Sequence, residues 1–216
     1  MARNLIGNVY PTDEYLLKRC APAGYGLGTK GAETTDLNTA VKSGWYSFTN
    51  NCNNRPVDYG VALVLNRYDA EVVQIAFDAI GTEGWHQNGL VAKRSRNDGV
   101  WSEWEYANPQ MEYGVEYKTT ERWQRHAVYC KLVSFGNLPN ATNKAVPIGA
   151  DNIDWAFIDL SKSWIGNNSD KSTNRATCLS KITDITLEGG NISITTNADM
   201  TGSVAYITVK YTKKTD

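Results

Sequence analysis

Histidine is almost missing from this chain of 216 residues: His86 and His126 are the only two, far apart, so a histidine-based metal site has little to build on. The four cysteines, Cys20, Cys52, Cys130 and Cys178, are widely spaced with no CxxC pair, which argues against a zinc ribbon or a redox motif. They read as reduced, partly buried thiols in a reducing cytoplasm. No metal and no cofactor are expected. Long apolar runs are missing too. Nothing approaches the ~18 residues of a transmembrane helix, and Arg3, Asp13, Glu14, Lys18 and Arg19 make the first twenty residues unlike a secretory leader. The expectation is a soluble protein that is not exported by the standard route and does not insert into a membrane. An excess of charge of one sign is also lacking: 22 Lys plus Arg stand against 23 Asp plus Glu. That balance leaves no electrostatic footprint for nucleic acid or an anionic membrane. A serine nucleophile elbow, a phosphate-binding glycine loop and a Cys and His dyad motif are absent, and "GYGLGTKG" has no clear strand and helix around it.

Aromatic residues are plentiful. Seven tryptophans and twelve tyrosines stand in a chain rich in Gly, Asn and Thr, a mixture that favours pleated strands and tight turns. The continuous apolar run Val61 to Leu65 fits a buried strand, and Val73, Ile75 and Phe77 alternate with Gln74, Ala76 and Asp78 as a second core strand. Residues 34–41 open with Thr and Asp, and Thr35 or Asp36 could cap a helical turn. In the second half, 127–135 and 153–160 read as strands, and 184–187 pairs with 192–195 across Gly189 and Gly190 as a hairpin. The terminal "SVAYITVKYTK" puts Ala205, Ile207, Val209 and Tyr211 on one face and Val204, Tyr206, Thr208 and Lys210 on the other. Between the halves, 108–125 mixes Asn, Pro, Gly and charges without a sustained apolar period. The fold class is mostly β with little helix. Residues 1–33 form an N-terminal arm, 34–108 and 127–216 form two β modules, the second an antiparallel β-sandwich, and 109–126 is a connector.

Four pieces in order, "TTDLNTAVKSGWYSFTN", "VALVLNRY", "VVQIAFDA" and "VAKRSRNDGVWSEWEYANP", resemble the knob-like domain of pyocin and phage tail fibres. The "MEYGVEYKTTERWQ…AVYCKLVSFGNLPNATNKAVP" and "VKYTKKTD" segments are similar to the C-terminal receptor-binding domain that follows such knobs in phages and prophages of Gram-positive bacteria. One departure is "AVPIGADNIDW", where the family usually runs into a histidine-glycine turn. The resemblance implies a homotrimeric fibre tip in the virion tail, joined to other tail proteins on its N-terminal side, that binds a bacterial surface polysaccharide or teichoic acid for host attachment. It implies no enzyme.

Sugars stack their apolar ring faces on aromatic side chains, and binding residues concentrate on loops of a rigid β scaffold. The candidate platforms are therefore Trp85 in "GTEGWHQNG", with His86, Gln87 and Asn88 as hydrogen-bonding neighbours, Trp164 in "SKSWIGNNSD", and Trp123. Asn168 and Asp170 could meet a glycan or a cation. Trp101 and Trp104, an odd number apart, would face opposite sides of a strand. Two readings compete with adhesion: a polysaccharide-cleaving enzyme using Glu103 and Glu105 or Asp151 and Asp154, since a glycosidase needs two acids across its bond, and a structural fibre collar.

Overall fold

The structure is a computed structural model and describes residues 31–68, 70–79, 89–167 and 180–214. It divides into two compact units, Met1–Asn108 and Pro109–Asp216. As the composition leads one to expect, nearly all regular structure is β. Among the described residues the one helical element is a short 3-10 turn, Leu160–Lys162.

The first unit strings together β1 (Ala32–Glu33), β2 (Gly44–Phe48), β3 (Gly60–Tyr68), β4 (Glu71–Asp78), β5 (Val91–Asn97), β6 (Val100–Trp101) and β7 (Glu105–Tyr106). The strands pair in the order β1, β2, β3, β4, β5, β7, with β6 also on β5, and only β1 runs parallel to its neighbour. One face is buried by Tyr46, Phe48, Ala62, Val64, Val72 and Ala76, under Leu37, Ala40 and Cys52. Gly60 is needed at this seam. A Cβ there would lie 2.4 Å from the Phe77 carbonyl oxygen and 2.6 Å from the Phe48 ring.

Two expectations change here. Residues 34–41 form a hydrogen-bonded turn, not a helix: Asp36 Oδ1 accepts from the Asn38 amide at 2.8 Å and from Asn54 Nδ2 at 2.8 Å. The Asp36 side chain does cap, but the chain leaves after one turn. The alternation in β4 is also inverted. Gln74, with Val72 and Ala76, is the buried side, whereas Val73 is 40% exposed. Polarity misleads at Gln74 because its amide has three partners inside.

The second unit carries β8 (Glu116–Trp123), β9 (His126–Asn137), β10 (Asn143–Pro147), β11 (Ile153–Ile158), β12 (Trp164–Asn167), β13 (Ile182–Glu188), β14 (Asn191–Thr196) and β15 (Ser203–Lys213). One antiparallel sheet runs β8, β9, β15, β11, with β12 on the other half of β15, and a second runs β10, β14, β13. They enclose a core of Val133, Phe135, Ile207, Val209 and Tyr211 from the first sheet and Ile192 and Ile194 from the second. Each such aliphatic side chain contributes roughly 1.5–3 kcal/mol on burial. Gly189 and Gly190, with φ of 56° and 79°, turn the chain between β13 and β14, where Leu187 faces Ile192. That is the primed two-residue hairpin expected from the Gly-Gly pair.

β15 is buried on both sides. Ala205, Ile207, Val209 and Tyr211 enter the sandwich core, while Thr208, Lys210 and Thr212 are buried on the outer face of the sheet. Residues 109–126, read as a connector, contain the full strand β8. Its polar pattern hides it, because its order comes from the ladder with β9 and from Trp123, not from an apolar stripe.

Candidate recognition surface

In the first unit the ordered motifs converge on one polar lock. Gln74 Nε2 donates to the carbonyl oxygens of Leu37 and Ala40, at 2.7 and 2.8 Å, and Gln74 Oε1 accepts from Arg94 Nε at 2.9 Å. The Arg94 guanidinium lies between two indoles, 4.3 Å from the Trp101 ring centre and 4.4 Å from that of Trp104. Trp101 Nε1 then donates to the Asn38 carbonyl at 3.2 Å, and Trp104 Nε1 to that of Asn54 at 2.9 Å. Arg94 is 6% exposed, and its burial pulls the guanidinium down to about 10, against the pull of Asp36. The two tryptophans therefore do not face opposite sides. β6 ends at Trp101, so strand alternation does not reach Trp104. The "DLNTA", "QIAF" and "GVWSEW" pieces hold the unit together, which removes these residues from the search for a binding face.

On the outer face of the second unit's larger sheet, aromatic side chains gather in two groups. The Trp123 and Trp155 rings lie 4.2 Å apart and within 4° of parallel, and Phe157 continues the row 4.9 Å from Trp155. Trp164 packs 5.6 Å from Tyr206, whose other neighbour Tyr113 stacks at 4.7 Å. Lys210 separates the groups. Its Nζ donates to both Glu121 carboxylate oxygens at 2.7 and 2.8 Å and lies 3.5 Å from Asp159. Burial alone would lower the Lys210 ammonium, but the bond to Glu121 and the charges of Glu121 and Asp159 outweigh it and raise it above the ordinary lysine range. Asp159 moves the other way: burial opposes ionisation, yet the Ser161 hydrogen bond and Lys210 hold its carboxyl low.

The tip beside Trp123 is strained. Trp123 pairs with His126, so Gln124 and Arg125 alone make the β8–β9 turn, at φ of 48° and 75°. Primed turns select Asn and Gly because a side chain in the left-handed region costs roughly 1–2 kcal/mol. Two long polar side chains held there stand next to an indole that is 42% exposed. Strain of this kind concentrates at ligand clamps.

Of the residues singled out from sequence, Trp123 and Trp164 lie on this face, in different groups. Trp85, His86, Gln87, Asn88, Asn168 and Asp170 lie outside the described residues. Sequence reading missed Trp155, Phe157, Gln124 and Arg125. The period-two "WAF" and the two-residue gap in "WQRH" were the available signals, and the second lacks the Gly or Asn that normally marks a hairpin. Of the paired acids, Glu105 Oε2 lies 3.6 Å from Lys93 Nζ, while Glu103, Asp151 and Asp154 are exposed. Cys52 and Cys130 are free, buried thiols, and burial pushes Cys130 up to about 11. Among the described residues no group of three His, Cys, Asp or Glu side chains could hold a metal ion.

No family model matches the chain, and no curated protein matches it. Among solved structures it is similar to the C-terminal part of the R1 pyocin fibre of P. aeruginosa, at 11% identity and a TM-score of 0.31, over 87% of this chain and 68% of that one. It is also similar to an N-truncated R2-type pyocin tail fibre, at 10% identity and a TM-score of 0.29, over 85% of this chain and 99% of that one.

Proposed function

We propose that this chain is the receptor-binding tip of a phage, prophage or tailocin tail fibre, which attaches to a bacterial surface polysaccharide or teichoic acid and does not cleave it. The tail-fibre part rests on the ordered knob motifs, which turn out to be a mutually dependent lock and not isolated matches. The glycan part is carried by one observation: the parallel, face-to-face Trp123–Trp155 stack at a strained, polar hairpin tip. An indole face takes the apolar face of a sugar ring, and Gln124 and Arg125 supply donors for hydroxyl or phosphate oxygens. A homotrimer would present three such tips, so that weak sites bind firmly together through high effective concentration.

The test is saturable binding of the folded, assembled protein to purified envelope polymer, followed by an assay for new reducing ends. Binding without new reducing ends is expected. No binding by the assembled protein would overturn the adhesion reading, and new ends lost in Asp154→Asn or Glu103→Gln would replace it with the enzyme.

A further inference from the structure

The β8–β9 hairpin reaches Trp123 through a break in its ladder. Lys118 pairs with Tyr129 and Arg122 with Ala127, so β8 advances four residues while β9 advances two. Regular pairing continued from Lys118 and Tyr129 would set Glu121 opposite His126 and leave Trp123 beyond it, in the turn. The observed register instead sets Trp123 opposite His126, where its ring stacks on Trp155 at 4.2 Å. A bulge of this kind bends its strand and re-aims the side chains that follow.

Polar side chains hold the bulge in place. Thr119 is 3% exposed, and its Oγ1 donates to the Val128 carbonyl oxygen at 2.7 Å and accepts from the Glu121 amide at 3.2 Å. One hydroxyl thus ties the bulged segment both to β9 and to itself. Arg122 Nη1 donates to the carbonyl oxygens of Thr119 and Glu121, at 3.2 and 2.9 Å. These bonds serve residues that the ladder register skips, where a backbone group without a partner is costly. The Glu121 carboxylate reaches across to Lys210, whose Nζ lies 5.9 Å from the Phe157 ring centre, and Phe157 packs on Trp155. Both halves of the tryptophan stack are therefore tied to one cation, Trp123 through the bulge and Trp155 through Phe157. Valine would fill the space of Thr119 and favours strands as well, so what the threonine adds is its hydroxyl.

We infer that this bulge sets the geometry of the glycan platform, with Thr119 as its positioning residue: the buried hydroxyl fixes the bulge that carries Trp123 onto Trp155.

The inference rests on the reading of Trp123 and Trp155 as that platform, and one arm of its test needs no glycan. In the full chain, Thr119→Val removes the hydroxyl at nearly constant volume, and Thr119→Ser keeps it. Nuclear Overhauser contacts between the Trp123 and Trp155 rings report the positioning, and equilibrium binding to purified envelope polymer reports its consequence. The ring contacts should persist in the parent and in T119S and be lost in T119V. T119V should bind about tenfold more weakly than the parent, yet T119V/W123A no more weakly than W123A alone, because Thr119 acts only through Trp123. A folded T119V protein that keeps the ring contacts would overturn the inference, as would a T119V loss that adds in full to that of W123A. If T119V does not fold, Arg122→Met, at an exposed residue, takes its place: lost ring contacts support the bulge and intact ones overturn it. Polymer binding that W123A leaves undiminished would sink the glycan reading, while the ring contacts would still decide this one.

Discussion

The two units bury a cation in opposite ways. In the first, Arg94 sits inside with one amide oxygen and two indole faces for company, and its Nη2 has no hydrogen-bond partner among the described residues. In the second, Lys210, 8% exposed, is bonded to one carboxylate and near another. Cation–π contacts and a neutral amide hold the arginine in place but do not neutralise it. Ion pairing stabilises the charged form of the lysine. The first arrangement therefore depends on shape, and the second on charge pairing.

Removing Arg94 should be the most damaging change. Arg94→Ala strands Gln74 Oε1 and opens the slot between Trp101 and Trp104, and we expect a loss of about 3 kcal/mol in the first unit's urea-unfolding free energy. Ile194→Ala, in the core of the second unit, should cost a similar ~3 kcal/mol by leaving a cavity. The comparison breaks if R94A behaves like an exposed substitution.

Alkaline pH should separate the units. Arg94 has a folded value below its unfolded one, so the folded state binds fewer protons and stability rises as pH climbs from about 10 toward the ordinary arginine range. Lys210 is raised, so its contribution is fully present below the unfolded lysine value and is lost as pH rises through the folded one. Tyr211 is raised as well, first by burial and then by Glu116, and its contribution shrinks over the same range. The second unit should therefore unfold earlier, relative to the first, at pH 11 than at pH 9. Among the described residues Cys52 and Cys130 are the buried thiols, one in each unit, and serve as built-in reporters. Labelling midpoints along a urea series, read by peptide mass, would show the shift. Equal shifts at both cysteines would contradict it. In acid, Asp159 acts with the opposite sign: its folded value is depressed, so its contribution holds above the unfolded carboxylate value and fades as pH falls through the folded one. The smallest effect belongs to Lys210→Met, about 1 kcal/mol, since Glu121 is half-exposed and water takes over part of the pairing.

Much of this was legible in the residues, and the gaps have physical causes. The Gly189–Gly190 hairpin, β9, and the inward set of β15 followed from period-two patterning and turn chemistry. Alternation failed where a buried polar group is fully bonded, as at Gln74, and where a strand is held by its neighbours, as in β8. The candidate recognition surface was half legible: Trp123 and Trp164 could be chosen, but the stacking of Trp123 on Trp155, 32 residues later, depends on sheet registers that no local pattern encodes. The lock around Arg94 was invisible for the same reason, although every residue in it except Asn54 stood in a motif.

The central claim is that the Trp123 tip contacts a surface glycan. The most direct measurement is equilibrium binding of Trp123→Ala and Trp164→Ala to purified envelope polymer, beside the parent protein. Loss of one stacking face should weaken each site by about tenfold with W123A. W164A, in the other aromatic group, should bind nearly as the parent does. Undiminished binding by a folded W123A protein would contradict the account.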